Sequence, residues 1–210
     1  MTKTNSLDYS HDAMNNVQKA VKRLTDIVCA AVGLVILSPV YLLIAILIKI
    51  QNNGPVIFRQ ERIGLDGKPF TIYKFRTMSS VVEDEGPQLV AKCDDSNSTK
   101  LEQLLRGHHF DELPQLWNVL KGDMSLVGPR PERKYFIDKI MERTHNYLLI
   151  YEMRPGLTSE ATLYNGYTDT MEKMLKRLEM DIMYLEHRSL WLDFRIIVKT
   201  VWSIVSGRKF

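Results

Sequence analysis

The most informative segment of this sequence is IVCAAVGLVILSPVYLLIAILI, residues 27–48, which carries no formal charge. An unbroken helix of this length would measure about 33 Å, enough to cross a hydrocarbon core of roughly 30 Å. A core helix of a soluble domain would show a polar stripe, and this segment has none. No A-x-A cleavage site closes it, so a cleaved signal peptide is not expected. We therefore expect residues 27–48 to be buried in a membrane.

A Ser38-Pro39 pair interrupts the apolar segment near its middle. Proline removes one backbone hydrogen bond and crowds the preceding turn, so the helix should bend or break there. Two arrangements remain open, namely a kinked helix that spans the bilayer and a re-entrant hairpin that enters and leaves by one face. Basic residues mark the cytoplasmic side, and they flank the segment at both ends, which favours the re-entrant hairpin. They are Lys19, Lys22, Arg23, Lys49, Arg59 and Arg62.

The composition is that of an ordinary folded chain. Of the 210 residues, 45% are hydrophobic and 25% are charged, which excludes a disordered or low-complexity scaffold. The net charge is only +3, which argues against a nucleic-acid-binding protein. The 2 cysteines, Cys29 and Cys93, cannot make a disulfide framework. The composition therefore indicates one folded domain attached to the apolar segment.

After the apolar segment the sequence predicts an α+β fold that is mostly helical, with one small β-hairpin. Residues 56–63 and 70–78 have strand patterns and are joined at Asp66-Gly67, which is a tight-turn signal. Residues 79–100 are polar and are predicted to form a loop. Helical patterns cover residues 101–106, 111–120, 132–151, 171–185 and 190–205.

The last helical pattern, residues 190–205, collects its apolar side chains on one side, together with Trp191 and Trp202. Basic residues, among them Arg195 and Lys199, accompany them. Such a helix lies in a membrane interface or packs its apolar face into the core of the domain. The pattern alone leaves both arrangements open.

The strongest local signal for chemistry is Asp111-Glu112-Leu113-Pro114-Gln115. Proline is tolerated in the first turn of a helix, so both acids should lie at or near a helix N-terminus. The free N–H groups there stabilise negative charge, and an ionised carboxylate so placed could ligate Mg²⁺ or act as a nucleophile. Acids at helix starts are also common caps, and the motif alone favours that interpretation.

Several cations accompany these acids. Gly128-Pro129-Arg130-Pro131 should present a guanidinium on a rigid loop. Arg106 precedes the acids, and Lys74 and Arg76 lie beside Thr77 at the end of the second predicted strand. Arginine and lysine are the usual ligands of phosphate. A carboxylate pair surrounded by cations predicts a site for phosphate esters with Mg²⁺.

Other catalytic patterns are missing from the sequence. It contains no GxGxxG, Walker A or GxSxG motif. His108 and His109 have no third ligand at metal spacing, and we interpret them as surface residues.

With its motifs in this order, the chain resembles the bacterial sugar transferases, specifically the small monotopic phosphoglycosyl transferases, which are polyprenyl-phosphate hexose-1-phosphate transferases. The resemblance covers roughly residues 19–205. It is carried by Lys22-Arg23 with Asp26, the Ser38-Pro39 break, GPVIFRQERIG at 54–64, GKPF at 67–70, YKFRTM at 73–78, DELPQLWNVLKGDMSLVGPRP at 111–131 and SLWLD at 189–193.

The resemblance implies that a sugar 1-phosphate moves from a nucleotide sugar, usually a UDP-sugar, to polyprenyl (undecaprenyl) phosphate, with release of UMP. By similarity, Asp111 is the nucleophile that carries a covalent phospho-sugar. Glu112 supports it as a metal ligand or acid–base partner, and Mg²⁺ is the implied cofactor. Arg130 and Arg106 would contact phosphate. The expected substrate-binding residues are Arg130, Arg106, Lys74, Arg76, Thr77, Pro129 and Pro131.

The resemblance also implies an organisation of the chain. Residues 1–21 form a tail, residues 22–50 a re-entrant membrane helix broken at Ser38-Pro39, and residues 51–210 a catalytic domain with amphipathic interfacial helices. The expected location is the bacterial cytoplasmic (inner) membrane, with the catalytic domain on the cytoplasmic face. The expected partners are the nucleotide sugar, the polyprenyl phosphate and the membrane, with no nucleic acid, and a homo-oligomer is left open.

In this family the reaction begins the assembly of a glycan on a lipid carrier, for a capsule, an O-antigen of lipopolysaccharide, an exopolysaccharide or a glycoprotein glycan. Two alternatives remain. An ordinary membrane-bound glycosyltransferase would release UDP rather than UMP. A non-catalytic membrane scaffold of a glycan-assembly complex would use Asp111 and Glu112 only as a helix cap.

Overall fold

The computed structural model describes residues 12–51, 54–77, 99–165, 168 and 170–206. Residues 1–11 of the predicted tail, Met78 of the second predicted strand and residues 79–98 of the predicted loop lie outside the described residues.

The described residues form helices with two small two-stranded sheets between them, which confirms the predicted mostly helical α+β class. Short 3-10 helices cover Leu65–Gly67, Phe110–Glu112 and His145–Glu152. The α-helices are α1 (Asn16–Ile36), α2 (Ser38–Gln51), α3 (Lys100–Gly107), α4 (Gln115–Lys121), α5 (Lys134–Met141), α6 (Glu160–Asn165), α7 (Met171–His187) and α8 (Leu190–Val205). The strands are β1 (Ile57–Ile63), β2 (Pro69–Phe75), β3 (Ser125–Val127) and β4 (Gly156–Thr158).

The apolar segment forms two helices that meet at Leu37, as the Ser38-Pro39 pair predicts. A capping box between Asn15 and Gln18 begins α1, so the end of the predicted tail is helical. The pair bends by 59° at the break, because Pro39 has no N–H and a restricted φ. Within the described ranges, α1 and α2 taken singly fall short of what a bilayer crossing needs, whereas the bent pair together reaches it by length and composition.

The predicted hairpin is confirmed, with β1 and β2 antiparallel and Ile63 opposite Pro69. The turn between the strands contains Asp66 at φ 57° and Gly67 at φ 69°. Left-handed backbone suits glycine and aspartate, which is why the Asp-Gly pair marked this turn. β2 ends at Phe75, so Arg76 and Thr77 follow the strand rather than lie in it.

The polar residues of one turn of α1 attach the apolar helices to the rest of the protein. The ammonium of Lys22 donates to the carbonyl of Val127, at 2.9 Å, and lies 2.6 Å from Oδ2 of Asp193. Arg23 donates to the carbonyls of Val119 and Leu120 at the end of α4. The buried carboxylate of Asp26 accepts a hydrogen bond from the backbone N–H of Leu126, at 3.1 Å. These contacts place α1 against both α4 and β3.

Asn118, which is fully buried in α4, ties that helix to the hairpin. Its side-chain oxygen accepts from the N–H of Tyr73 at 3.1 Å, and its amide nitrogen donates to the carbonyl of Thr71 at 2.7 Å. The same nitrogen lies 3.2 Å from Oδ2 of Asp123. The side chain therefore satisfies backbone groups of β2 that would otherwise be buried without partners.

Two predicted helices are shorter than their patterns indicate. Residues 132–151 do not form one helix, because the chain leaves α5 after Met141 and is extended at Thr144, whose hydroxyl accepts from the N–H of Asn146. A side chain that bonds the local backbone competes with helix continuation. Residues 111–120 are also divided, since α4 begins only at Gln115 and a 3-10 helix precedes it.

The last helix, α8, covers 190–205 as predicted and presents two different faces. Ile196 and Asp193 are buried against the domain. Trp191 and Trp202 are each 67% exposed, and Phe194, Val198 and Val201 are exposed as well. The aromatic side therefore does not pack into the core, which favours the interfacial arrangement of the two that the pattern left open.

The N-terminal segment is fastened to the junction of α7 and α8. The carboxylate of Asp12 accepts from Nε of Arg188 at 2.7 Å and lies 2.5 Å from the ammonium of Lys19. The backbone N–H of Met14 also donates to it. Burial alone would raise the pKa of the Asp12 carboxyl group. These hydrogen bonds lower the pKa by more than burial raises it, and the resulting pKa is about 2.

We expect Asn118→Ala to lower the free energy of unfolding by about 2–4 kcal/mol, because backbone groups of Thr71 and Tyr73 lose their partners. Asn146→Ala, at an exposed position, is the matched control and should change it by less than about 0.5 kcal/mol. Thermal unfolding of the detergent-held variants would measure both. Equal shifts in the two variants would contradict the role of Asn118.

We expect the stabilisation by Asp12 to depend on pH. Its pKa is lower in the folded chain than in the unfolded chain, so the stabilisation is complete above about pH 4 and disappears as the pH falls towards 2. Asp12→Asn should therefore cost about 1 kcal/mol at pH 7 after allowance for solvent screening, and the difference in melting temperature from the wild type should narrow below about pH 4. Asp138→Asn, in an exposed pair with Lys134, is the control. A pH-independent difference would refute this account.

Candidate active site

The two adjacent acids lie on the 3-10 helix Phe110–Glu112, just before α4. The preceding residue, His109, has left-handed backbone with φ 56°, and the N–H of Glu112 donates to its carbonyl at 3.1 Å. The N-cap of α4 is Pro114, with no side-chain hydrogen bond. The helix predicted over 111–120 therefore begins one turn later, at Gln115, and the two acids lie near its N-terminus, as expected. Neither carboxylate caps α4.

The apolar helix pair supports this turn from behind. The hydroxyl of Tyr41 in α2 donates to the carbonyl of Leu113, at 2.5 Å. Its ring lies against Phe75 at the end of β2, with 5.6 Å between centroids. The buried side chains Ile44, Ile48, Phe75 and Leu105 form one apolar cluster, and Phe110 and Leu113 pack against it. The acids are thus fixed to the same cluster that holds α2.

Two cations face the second acid. The ammonium of Lys74 lies 2.5 Å from Oε1 of Glu112, and Nη2 of Arg130 lies 3.7 Å from the same oxygen. Lys74 comes from β2 and Arg130 from the loop after β3. The side chain of Glu112 is 13% exposed, whereas that of Arg130 is 33% exposed, so the guanidinium extends from the ion pair into the open cleft.

The two acids have opposite pKa shifts. Burial raises the pKa of Asp111 to about 6, and the adjacent charge of Glu112 adds to the rise. Burial also raises the pKa of Glu112, but the charges of Lys74 and Arg130 outweigh it and hold this pKa at about 2. At pH 7 Glu112 is fully ionised and Asp111 is mostly ionised. Adjacent acids with divergent pKa values are typical of a functional site. Glu112 lines the adjoining cleft, whereas Asp111 is buried beside it and is not among the described residues that line it.

A cleft that is open to solvent lies in front of Glu112. One wall is a face of the hairpin, because Gln60 and Arg62 of β1 lie opposite Ile72 and Phe70 of β2, and Lys74 follows on the same face. The residues that line the cleft are Arg62, Ile72, Lys74, Glu112, Gln115, Arg130, Pro131, Gly156, Leu157 and Thr162.

The loop that carries Arg130 is held by backbone contacts. β3 and β4 are parallel, with Val127 opposite Thr158. The N–H of Gly156 donates to the carbonyl of Pro129 at 2.8 Å. A Cβ atom on Gly156 would lie 2.1 Å from the backbone nitrogen of Gly128, so only glycine permits this approach.

The structure brings together some of the predicted substrate-binding residues. Lys74, Arg130 and Pro131 line the cleft beside Glu112, and Pro129 is buried in the loop that supports them. Arg76, Thr77 and Arg106 do not line it among the described residues. The guanidinium of Arg76 lies against Gly54, where a Cβ atom would be 1.8 Å from its Nη1. A substrate contact for these three residues stays a prediction.

Sequence reasoning missed several residues of the cleft. Arg62, Gln115 and Thr162 line it, and alternation along β1 would have placed Arg62 on the face that carries Lys74. His108 and His109, interpreted as surface residues, are both half-buried and so only partly exposed. Burial lowers the pKa of His109 and so favours its neutral form.

Within the described part of the chain, no three His, Cys, Asp or Glu side chains come together as a metal centre. Asp111 and Glu112 nevertheless suit Mg²⁺, which often binds one or two carboxylates and takes its other ligands from substrate phosphates and water. A magnesium site built on the described residues would therefore need substrate phosphates or water to complete it.

Comparison with known proteins gives a consistent family. The family described as bacterial sugar transferase matches residues 17–207. A UDP-glucose:undecaprenyl-phosphate glucose-1-phosphate transferase of Klebsiella pneumoniae is 42% identical over 192 residues, covering 90% of this chain and 41% of the relative. A UDP-N-acetylgalactosamine-undecaprenyl-phosphate N-acetylgalactosaminephosphotransferase of Aeromonas hydrophila is 40% identical over 187 residues, covering 89% of this chain and 44% of the relative.

A third relative is closer to this chain in length. The UDP-glucose:undecaprenyl-phosphate glucose-1-phosphate transferase of Caulobacter vibrioides is 43% identical over 188 residues, covering 88% of this chain and 70% of the relative. The chain thus spans about two fifths of the Klebsiella and Aeromonas relatives and over two thirds of this one. The family match extends over nearly the whole chain, including the acids, the hairpin and the Pro-Arg-Pro loop. The chain therefore belongs to the bacterial sugar transferase family.

Proposed function

We propose that this protein transfers a sugar 1-phosphate from a UDP-sugar to undecaprenyl phosphate and releases UMP. The observation that carries the proposal is the pair of adjacent acids, Asp111 and Glu112, with opposite pKa shifts beside Lys74 and Arg130. An anionic nucleophile is repelled by a diphosphate unless cations offset both charges, and this cleft supplies such cations. The activities for which the relatives are named support the same reaction class.

In the first step a carboxylate oxygen of Asp111 attacks the phosphorus that carries the sugar. A bond forms between Asp111 and that phosphorus, the bond to the bridging oxygen of the diphosphate breaks, and UMP leaves with the electron pair. In the second step a phosphate oxygen of undecaprenyl phosphate attacks the same phosphorus. The carboxylate of Asp111 is then released, and the sugar remains on the lipid as a diphosphate.

Glu112 and its cations prepare the cleft for this exchange. Lys74 and Arg130 keep Glu112 ionised, and the partly exposed guanidinium of Arg130 is placed to bind a donor phosphate in bidentate fashion. Asp111 and Glu112 would hold Mg²⁺ together with the donor phosphates, and the ion would supply positive charge at the reacting diphosphate. Pro129 and Pro131 hold the loop of Arg130 in position, whereas Arg106, Arg76 and Thr77 are proposed to contact substrate outside this cleft.

A membrane location follows from the same proposal, because the acceptor is a lipid. Apolar residues of α1 and α2 are exposed in the structure, including Val35 at 74% and Leu42 at 64%. The aromatic face of α8 is exposed too, with Trp191 and Phe194 stacked at 5.5 Å. We place the helix pair as a re-entrant hairpin in the inner membrane and residues 51–210 on its cytoplasmic face. The enzyme would then take its donor from water and its acceptor from the headgroup layer, and begin assembly of a lipid-linked glycan.

The first test is nucleotide release. Protein in nanodiscs with undecaprenyl phosphate, Mg²⁺ and a panel of UDP-sugars should release UMP with at least one sugar. Asp111→Asn removes the nucleophile at nearly constant volume and should lower turnover by roughly 10³-fold or more. Asp138→Asn, at an exposed position of α5, should leave turnover unchanged.

Release of UDP instead of UMP would identify an ordinary glycosyltransferase. Full turnover by Asp111→Asn would exclude this residue as the nucleophile. If no sugar of the panel supports release and the wild-type protein binds no UDP-sugar, the proposed transfer from these UDP-sugars is refuted, and an untested donor or the scaffold alternative remains. A radiolabelled sugar phosphate that stays with the wild-type protein when undecaprenyl phosphate is withheld would demonstrate the covalent intermediate.

The second test concerns the helix pair. In a background with both native cysteines replaced by serine, Asn16→Cys precedes the hairpin and Lys68→Cys follows it, both at exposed positions. A membrane-impermeant maleimide should label neither site in intact spheroplasts and both sites after permeabilisation. Labelling of just one site in intact spheroplasts would mean that the pair spans the bilayer as a kinked helix.

A further inference from the structure

The cleft contains a second arginine, Arg62, which joins the hairpin to the loop of Arg130. Its Nη1 donates to the carbonyl of Pro131 at 3.1 Å, and its Nη2 donates to Oε1 of Gln60 at 2.6 Å. Nη1 also lies 3.8 Å from Oε2 of Glu132. One planar guanidinium thus contacts the two residues that directly follow Arg130.

Glu132, one of these two residues, is itself held in place by other parts of the fold. Nη1 of Arg177, from α7, donates to Oε1 of Glu132 at 2.9 Å, and the side chains of both residues are largely buried. The carbonyl of Glu132 in turn accepts from the N–H of Ile63, at 3.2 Å. The chain after Arg130 is therefore held from the hairpin on one side and from α7 on the other.

Arg62 also shares a surface with the groups that face the donor. It lines the same cleft as Lys74, Glu112 and Arg130, and it lies on the same face of the hairpin as Lys74. Its side chain is 16% exposed. Its Nε is buried and has no hydrogen-bond partner. Buried donors are normally hydrogen-bonded, and Nε of Arg177, on the other side of Glu132, is a second exception.

We propose that Arg62 is a positioning residue of the donor site, which sets the place of Arg130 by holding Pro131 and Glu132. The inference rests on the proposed function and adds a residue to the site that binds the diphosphate of the donor. An arginine is required because its planar guanidinium donates several hydrogen bonds in one plane, whereas the side chain of lysine has a single nitrogen. Loss of the Arg62 guanidinium would let the loop that carries Arg130 shift. The guanidinium of Arg130 would then no longer lie within hydrogen-bond distance of the donor phosphate.

The test measures binding of UDP, a non-reacting probe of the donor site, to the full-length protein by calorimetry. Arg62→Met should weaken UDP binding by roughly tenfold or more, and Arg62→Lys should restore little of it. Arg59→Met is the matched control, because Arg59 lies on the same strand but on the opposite, exposed face. In the transfer assay, Arg62→Met should raise KM for the UDP-sugar and leave KM for undecaprenyl phosphate unchanged.

A double-mutant cycle distinguishes action through Arg130 from direct contact with the donor. In an Arg130→Met background, Arg62→Met should change the UDP affinity by less than about twofold. Independent, multiplicative losses would mean that Arg62 contacts the donor itself, and they would overturn the positioning role. Unchanged UDP affinity in Arg62→Met would overturn it too.

Two further outcomes separate folding and function from this inference. If Arg62→Met does not fold, Gln60→Ala removes the acceptor of Nη2 while both arginines remain, and it should weaken UDP binding in the same direction. If the wild-type protein neither binds UDP nor releases UMP, the proposed function is wrong. The role of Arg62 in a donor site is then wrong as well. If the wild-type protein binds UDP and Arg62→Met binds it with the same affinity, the positioning role of Arg62 is refuted and the proposed function is not.

Discussion

The rest of the structure depends on the attachment of an apolar helix to a polar domain through one turn of side chains. Lys22 and Arg23 of α1 donate to backbone carbonyls, and Asp26 accepts from a backbone N–H. Arg23 meets the last carbonyls of α4, where the helix dipole favours a positive charge. A partly buried charge without a partner is costly, so these contacts fix a single position of this turn of α1 on the domain. α4 begins directly after the acids, and β3 leads into the loop of Arg130, so the same contacts set both sides of the cleft.

The charges of the cleft are divided between supporting and reacting roles. The ammonium of Lys74 lies 2.5 Å from Oε1 of Glu112 and pairs mainly with that carboxylate. This ion pair keeps a negative charge next to Asp111. That neighbouring charge adds to the effect of burial and brings the pKa of Asp111 to about 6. Arg130 is less buried than either partner and remains placed to meet a ligand. A buried ion pair thus prepares a second acid and leaves a cation at the opening.

Much of the fold and part of the site follow from local rules. The break at Ser38-Pro39 and the turn at Asp66-Gly67 were predictable because proline and glycine act on their own backbone. The acids were located by their motif, but their exact helix was not, since an Asp-Glu-Leu-Pro sequence suits a 3-10 helix before α4 as well as a first α-helical turn. The parallel pairing of β3 with β4 had no local signal, because each strand is three residues long and its partner lies far along the chain.

The sequence by itself determined the helix pair, the hairpin, the aromatic face of α8 and the residues of the acidic motif, all of which depend on periodicity or on single residues with strong backbone preferences. Only the tertiary structure decided which cations meet the acids. Lys74 and Glu112 are 38 positions apart, and their contact requires β2 and the turn before α4 to be packed together. Arg62, Arg130 and Glu132 meet in the same way. Electrostatic interaction depends on distance through space and on burial, and neither quantity exists until the chain has folded.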